Sequence, residues 1–272
     1  FVMPVPIIKP LFADVMELRC VGPAIKEKLT NLSAKRIIDL IYHLPTATVD
    51  RREMPPFDKA ENDSYITAIV TIDKHIPGYA RARTPYKVRC SNDSGFISLT
   101  FFNARKDYLS ERLPVGQKRV ISGKIERYDG ELQMPHPDYI VLESELERVK
   151  RLEPVYPLTQ GLHLKTLIKI ILEAISRLPN LPEWIEPNFQ KNNHWDSWKN
   201  SLAALHSPKA PEDVDRLSPY YQRLAYDELL ANQLALAIVR ERFRDKSGRS
   251  TEGDGELRQK LIKSLPFKLT NG

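Results

Sequence analysis

Cysteine is scarce in this chain. Cys20 and Cys90 are the only two, and no Cys-x-x-Cys pair exists. A structural zinc site built on thiolates therefore has too few ligands. So few thiols suit a reducing compartment, and a cytoplasmic location is expected. Long hydrophobic runs are missing too. No stretch of about eighteen apolar residues offers a membrane-spanning helix, and no signal peptide is visible. The chain begins with Phe1 rather than Met, so a natural start upstream of it is expected.

Catalytic motifs are also absent. A phosphate-cradling Gly-x-x-x-x-Gly-Lys-Ser/Thr loop brings clustered N–H groups and a lysine to phosphates. Gly123-Lys124 is the only Gly-Lys pair, but Lys118 stands where the first glycine belongs and Ile125 where Ser or Thr belongs. Asp227-Glu228 runs into Leu229-Leu230, so no magnesium-binding acidic box forms. Gly253 and Gly255 lie in a polar stretch that follows no strand. His43, His75, His136, His163, His194 and His206 lack paired metal-ligand spacing. No nucleophile elbow appears. No catalytic residue, metal ligand or cofactor site is expected within the chain.

What the chain does have is apolar bulk and a slight excess of positive charge. Its 272 residues are 42% hydrophobic, enough for two or three modest domains. It carries 41 Lys+Arg against 35 Asp+Glu, a net charge of +6. The excess is spread along the chain, so a basic patch for a polyanion has to be assembled by folding.

Three parts can be read. Residues 1–60 read as an N-terminal helical region. Pro23 suits the first turn of a helix after Val21-Gly22, and Ile25, Leu29 and Leu32 recur at helical spacing. Ile37, Ile38, Leu40, Ile41 and Leu44 form a second set that Pro45 stops, giving a helical hairpin. The proline- and charge-rich residues 46–63 read as a linker. Residues 61–142 read as β-rich, with strands over 65–72, 86–90, 96–102, 120–125 and 132–141. A short helix over 104–113 lies between the third and fourth, and Asp129-Gly130 is a hairpin turn. That is the layout of an OB-fold, a small Greek-key barrel whose strand 2–3 face often binds oligonucleotides. Residues 143–272 read as a helical connector, with helices over 164–178, 218–246 and 257–265. The wide apolar arc of the long one implies burial on more than one side. The fold class expected is α+β and multidomain: an OB barrel flanked by an N-terminal helical hairpin and a C-terminal all-helical connector.

The stretch 96–106 carries the clearest functional signal. Neighbouring residues on a strand point to opposite faces. Phe101 and Phe102 therefore cannot both fill a one-sided core, and one should stand in the open near Arg105 and Lys106. An exposed aromatic beside cations is a stacking platform for nucleic-acid bases. Arg81, Arg83, Lys87, Arg89, Lys124 and Arg127 form either a phosphate-contacting face or a solvated surface. Gly22, in a tight loop at a helix N-terminus, either exposes N–H groups to a DNA phosphate or is an ordinary helix turn.

These motifs follow an order. It runs from Val21-Gly22-Pro23 through Asp39-Leu40-Ile41-Tyr42-His43-Leu44-Pro45, Asp50-Arg51-Arg52 and Phe101-Phe102-Asn103 to Gly123-Lys124 and His136-Pro137-Asp138-Tyr139. Pro154-Val155-Tyr156-Pro157-Leu158, Leu205-His206-Ser207-Pro208, Ala225-Tyr226-Asp227-Glu228 and Leu265-Pro266-Phe267-Lys268-Leu269-Thr270 come after. Taken together, the order resembles the amino-terminal part of the RecG family of ATP-dependent DNA helicases. Cys20 and Ser33 depart from glycines common in that family.

The resemblance implies a wedge domain that splits the arms of branched DNA, such as forks and Holliday junctions, in fork reversal, recombination and repair. It implies that Phe102 stacks on a base at the branch point. Tyr108 is either a second stacking aromatic, at a longer spacing than in the family, or a packing residue. The resemblance also implies that ATP and magnesium belong to motor domains lying beyond Leu265–Thr270, so that this stretch alone is not an ATPase. A single-strand DNA-binding protein is a further expected partner, and no membrane is. Two other readings compete: a motor-independent OB protein for single-strand nucleic acid or tRNA, and a module that docks a replication protein.

Overall fold

The structure, a computed structural model, describes residues 6–78, 84–102, 106–244 and 253–269. The chain divides into two compact units, Phe1–Ala225 and Tyr226–Gly272. In the first, the helical hairpin forms as its sequence dictates. Helix α1 (Pro23–Asn31) starts from an extended Gly22, with Pro23 at the position where a missing N–H costs nothing. Helix α2 (Ile37–Ile41) is capped by Asp39, whose carboxylate accepts from the N–H groups of Lys35 (2.9 Å) and Arg36 (2.8 Å). Between the two, Ser33 sits at φ 61°, a left-handed conformation that glycine takes without strain.

Strand β1 (Ala47–Asp50) lies within the stretch that reads as a linker. Next come β2 (Tyr65–Ile76), β3 (Tyr86–Asn92), β4 (Gly95–Phe101), α3 (Lys106–Arg112) and β5 (Lys118–Lys124). Then follow β6 (Glu126–Tyr128), β7 (Glu131–Pro135) and β8 (Tyr139–Val141). From β2 on, these strands form one mixed seven-stranded sheet, ordered β6-β7-β4-β3-β2-β5-β8, in which only β4 and β7 run parallel. Asp129 (φ 52°) and Gly130 (φ 76°) make the β6–β7 hairpin turn, which requires positive φ at both positions.

The expected closed OB barrel is not formed. The strand read over 132–141 is broken at His136, which takes φ 44° and precedes Pro137, a residue with no N–H to offer a ladder. Its first half, β7, pairs with β4, and its second half, β8, pairs with β5. Among the described residues no ladder joins β5 to β7, so the sheet stays open. The two strands still come close at Gly123, where a Cβ would lie 3.1 Å from Met134 Sδ and 3.3 Å from Asp138 N. Inward side chains such as Ile72, Val88, Ile97, Leu99 and Ile121 fill the sheet's core, and Leu109 and Leu113 of the α3 segment cover it.

The connector is not all helical either. After α4 (Leu146–Val149), strand β9 (Leu152–Val155) pairs antiparallel with β1, from Ala47↔Val155 to Asp50↔Leu152. Helices α5 (Leu164–Ser176), α6 (Pro187–Asn192), α7 (Trp198–His206) and the start of α8 (Pro219–Arg244) follow. Leu167, Ile170 and Ile171 of α5 pack with Ile37, Leu40 and Ile41 of α2 and with Leu202 and Leu205 of α7. Beyond Tyr226, the second unit holds the rest of α8 and α9 (Glu256–Ser264). There Leu229, Leu234, Leu236, Ile238 and Val239 are exposed in this chain, whereas the wide apolar arc of the long helix implies burial, and Phe243, Leu257 and Leu261 are exposed as well.

A buried ion pair lies at the end of the β1–β9 ladder, beside the large sheet. Arg51 is 3% exposed and Glu153 1%. Arg51 donates to Glu153 Oε1 from Nε (3.2 Å) and Nη2 (2.9 Å), to Ser122 Oγ (3.2 Å) and to Asp138 Oδ2 (2.9 Å). The Tyr139 hydroxyl donates to Glu153 Oε2, and Thr67 Oγ1 donates to the Arg51 carbonyl at 2.7 Å. Burial alone would raise the Glu153 pKa, but the Tyr139 hydroxyl and Arg51 outweigh it and hold the carboxyl below its usual range.

A second buried polar residue, His206, ties α7 to α2. His206 Nε2 donates to the Ile41 carbonyl (2.7 Å), and Nδ1 accepts from the Tyr156 hydroxyl (2.8 Å). Burial lowers its pKa from 6.5 to about 4.

Two outcomes follow for stability. Arg51→Met leaves the buried Glu153 with only the half-exposed Arg151, at 3.4 Å, as countercharge, and should cost up to about 3–5 kcal/mol in urea unfolding; Arg51→Met with Glu153→Leu should regain part of that loss. For His206, the neutral form is common to both states above pH 6.5, so its contribution is complete there. As pH falls from 6.5 towards about 4, the unfolded chain takes a proton that the folded one refuses. Stability should then fall by about 1.4 kcal/mol per pH unit from this residue. That component should vanish in His206→Gln when unfolding is measured at stepped pH.

Candidate nucleic-acid interface

The alternation of β4 divides its two phenylalanines. Ile97, Leu99 and Phe101 turn into the sheet's core, whereas Phe96, Ser98 and Thr100 lie on the other face, where Phe96 is exposed but Ser98 and Thr100 are themselves covered, and Phe102 stands just past the strand's end. Phe101 is 8% exposed and Phe102 is 53% exposed. On β3, Tyr86, Val88 and Cys90 turn inward, leaving Lys87, Arg89 and Ser91 outside. Register then sets Lys87 beside Thr100, Arg89 beside Ser98 and Ser91 beside Phe96. Gln133 of β7 continues the row from Ser98, and Glu126 of β6 follows it. The outer face therefore has a small, polar floor bounded by aromatics and cations.

Two grooves run over that floor. One, of about 580 Å³, is lined by Ile76, Pro85, Lys87, Thr100, Phe102, Tyr128 and Gln133. The other, of about 350 Å³, is lined by Arg89, Phe96, Ser98, Arg127 and Leu132 among others. The Arg89 guanidinium lies 4.3 Å from the Phe96 ring centroid, a cation–π contact that holds both side chains. Lys87 stands 4.0 Å from Glu131, a long ion pair at a surface where such pairs contribute little.

The residues singled out by sequence separate accordingly. Phe102, Lys87, Arg89 and Arg127 line the grooves. Arg127 is already engaged, since it donates to the carbonyls of Phe57 (2.8 Å) and Ala60 (3.4 Å) and pins the segment before β2. Lys124 lies outside the grooves, paired with Asp63 at 2.8 Å, a hydrogen bond that raises its pKa. Tyr108 is exposed on α3, where its hydroxyl accepts from Arg112. Gly22 sits on the helical hairpin, with open space where a Cβ would be. Arg81, Arg83 and Arg105 and the side chain of Lys106 lie outside the described residues.

Sequence reasoning missed Phe96 and Tyr128, which are 59% and 68% exposed. The signal for Phe96 was the period-2 register that it shares with Ser98, Thr100 and Phe102. Beneath this face, burial pushes the Cys90 thiol up to about 12, which keeps it protonated and unreactive. Among the described residues no cluster of three His, Cys, Asp or Glu could hold a metal, and no helix is long and apolar enough to cross a membrane.

Comparison with known proteins adds a family. Residues 14–178 match the model of the RecG wedge domain. The chain is 27% identical over 264 residues to the ATP-dependent DNA helicase RecG of Acidithiobacillus ferridurans. It is 29% identical over 258 residues to that of Haemophilus influenzae and 28% over 272 to that of Thermotoga maritima. These alignments cover 92–96% of this chain but only 33–37% of the relatives, so it spans about a third of their length. A solved structure of RecG bound to a three-way DNA junction aligns over 96% of this chain and 36% of that one, with TM-score 0.68 and 26% identity.

Proposed function

The chain belongs to the RecG wedge-domain family, and from that premise we propose that it is the branched-DNA-binding wedge of an ATP-dependent DNA helicase. The observation that carries this reading is Phe102, an aromatic 53% exposed at the end of a sheet face that also bears Lys87 and Arg89. An exposed ring of this size costs solvation unless a partner covers it, and a base is a partner of the right shape. Cations on the same face meet the phosphates on either side.

The mechanism is passive splitting. Motor domains elsewhere in the full protein pull duplex DNA, using ATP and magnesium. The sequence of this chain contains neither the phosphate-cradling loop nor the acidic box that would hold them. Phe102 caps the last base pair at the branch, and one strand leaves along the two grooves towards Phe96. Stacking on one aromatic is worth about 1–3 kcal/mol, a useful part of the cost of opening a base-pair step. Residues 61–142 act as the wedge, a barrel of OB type left open between β5 and β7. Residues 1–60 and 143–272 carry it, and the long helix α8 leads towards the motor. Forks and Holliday junctions are the substrates, in fork reversal, recombination and repair in the cytoplasm, where a single-strand DNA-binding protein is a natural neighbour. Tyr108 and Gly22 lie off this face, and Arg127 and Lys124 are held by protein partners. Among the described residues, Lys87, Arg89 and Phe102 therefore carry most of the affinity.

Binding of the purified chain to a three-way junction, a duplex and a single strand tests the reading. Phe102→Ala should weaken junction binding roughly 5- to 150-fold, the equivalent of about 1–3 kcal/mol. Equal affinity for single strands and junctions would favour a general single-strand binder. Absence of DNA binding at low salt, where phosphate contacts are strongest, would favour a protein-docking module.

A further inference from the structure

Phe102 is exposed, yet it is held. Strand β4 ends at Phe101, so Phe102 lies beyond the ladder, and the parallel neighbour β7 ends at Pro135. A side chain replaces the missing ladder bond. The Phe102 N–H donates to His136 Nε2 at 3.2 Å. A backbone N–H can only donate, so Nε2 carries the lone pair and the ring proton sits on Nδ1.

The same imidazole touches both phenylalanines. Its centroid is 5.5 Å from the Phe102 ring with 35° between the planes, and it meets Phe101 edge-on at 6.1 Å and 86°. The His136 N–H donates in turn to the Thr100 carbonyl at 2.8 Å, which fixes the residue beside the end of β4. All this is done from φ 44°, a left-handed conformation that residues other than glycine rarely hold. Strain of this kind persists only where surrounding contacts impose it, and it collects at functional sites.

We propose that His136 is the positioning residue of the Phe102 platform. It accepts the Phe102 N–H and backs the Phe102 ring, so the ring's other side is presented to the base at the branch point. His136 acts through Phe102. The inference rests on the stacking role given to Phe102 above and adds the residue that sets the platform's angle.

Two variants separate positioning from packing. His136→Gln keeps an acceptor near the place of Nε2, whereas His136→Leu removes it, and both meet the same backbone strain. The readout is the fluorescence of 2-aminopurine placed at the branch base of a three-way junction, quenched when the base stacks. Wild-type protein should quench it and Phe102→Ala should not. His136→Leu should lose at least half of the quenching, His136→Gln should keep most of it, and His136→Leu should add nothing in the Phe102→Ala background. Equal quenching by wild type and Phe102→Ala would overturn the stacking reading and this inference with it. Loss in Phe102→Ala but full quenching in His136→Leu would overturn the inference alone. Should His136→Leu fail to fold, 15N imidazole spectra of the wild-type chain decide. A proton on Nδ1 and a bare Nε2 support the proposal, and a proton on Nε2 contradicts it.

Discussion

The arrangement of the first unit depends on the buried pair of Arg51 and Glu153. A carboxylate that is 1% exposed must find its countercharge inside the protein, or burial would neutralise it. Arg51 is the nearer countercharge, with Arg151 at 3.4 Å on the other carboxylate oxygen, and Arg51 also reaches Ser122 on β5 and Asp138 beside β8. One guanidinium thereby joins β9 to strand β5 and to the turn that leads into β8. Lys165, on α5, donates to the Asp138 carbonyl from the helical side. The helical core and the sheet core are separate clusters, and this polar joint lies between them. A buried pair adds little net stability over an apolar replacement, because desolvation offsets the attraction. Its value here is geometric, since the observed pairing of β1 with β9 brings the two charges together.

A second constraint shapes the outer face. The break at His136-Pro137 sends one half of a strand to β4 and the other half to β5, leaving the sheet open. At that break His136 turns its ring towards the end of β4 and meets Phe102 there. The irregularity that prevents closure thus places the exposed aromatic. Lys87 and Arg89 need no such device, because ordinary alternation along β3 turns them out. The face assembles from two simple rules, period-2 alternation and one interrupted ladder.

Those rules also explain how much was legible. The alternation over 96–102 separated Phe101 from Phe102, and Asp129-Gly130 marked its hairpin, because both signals are local. The β1–β9 pair was not legible. Each strand has four residues, β9 contains Pro154, and their partnership spans about a hundred positions of sequence. The broken fifth strand escaped as well, since 132–141 alternates well enough until tertiary pairing pulls its halves apart. Charge was the least legible property. Lys124 and Arg127 count as cations in the sequence, but Asp63 and the carbonyls of Phe57 and Ala60 already occupy them. In α8 the apolar arc suggests a covered helix, yet Leu229 and Phe243 stand exposed in this chain.

In the proposed function, the outer face of β3, β4, β6 and β7, with Phe102 at its end, is the surface that meets DNA. Amide hydrogen exchange of the chain with and without a three-way junction tests it most directly. New protection should concentrate in residues 86–102 and 126–136, with little change in β8 and α5. Protection confined to the helical layer, with the sheet face exchanging as in the free protein, would contradict it.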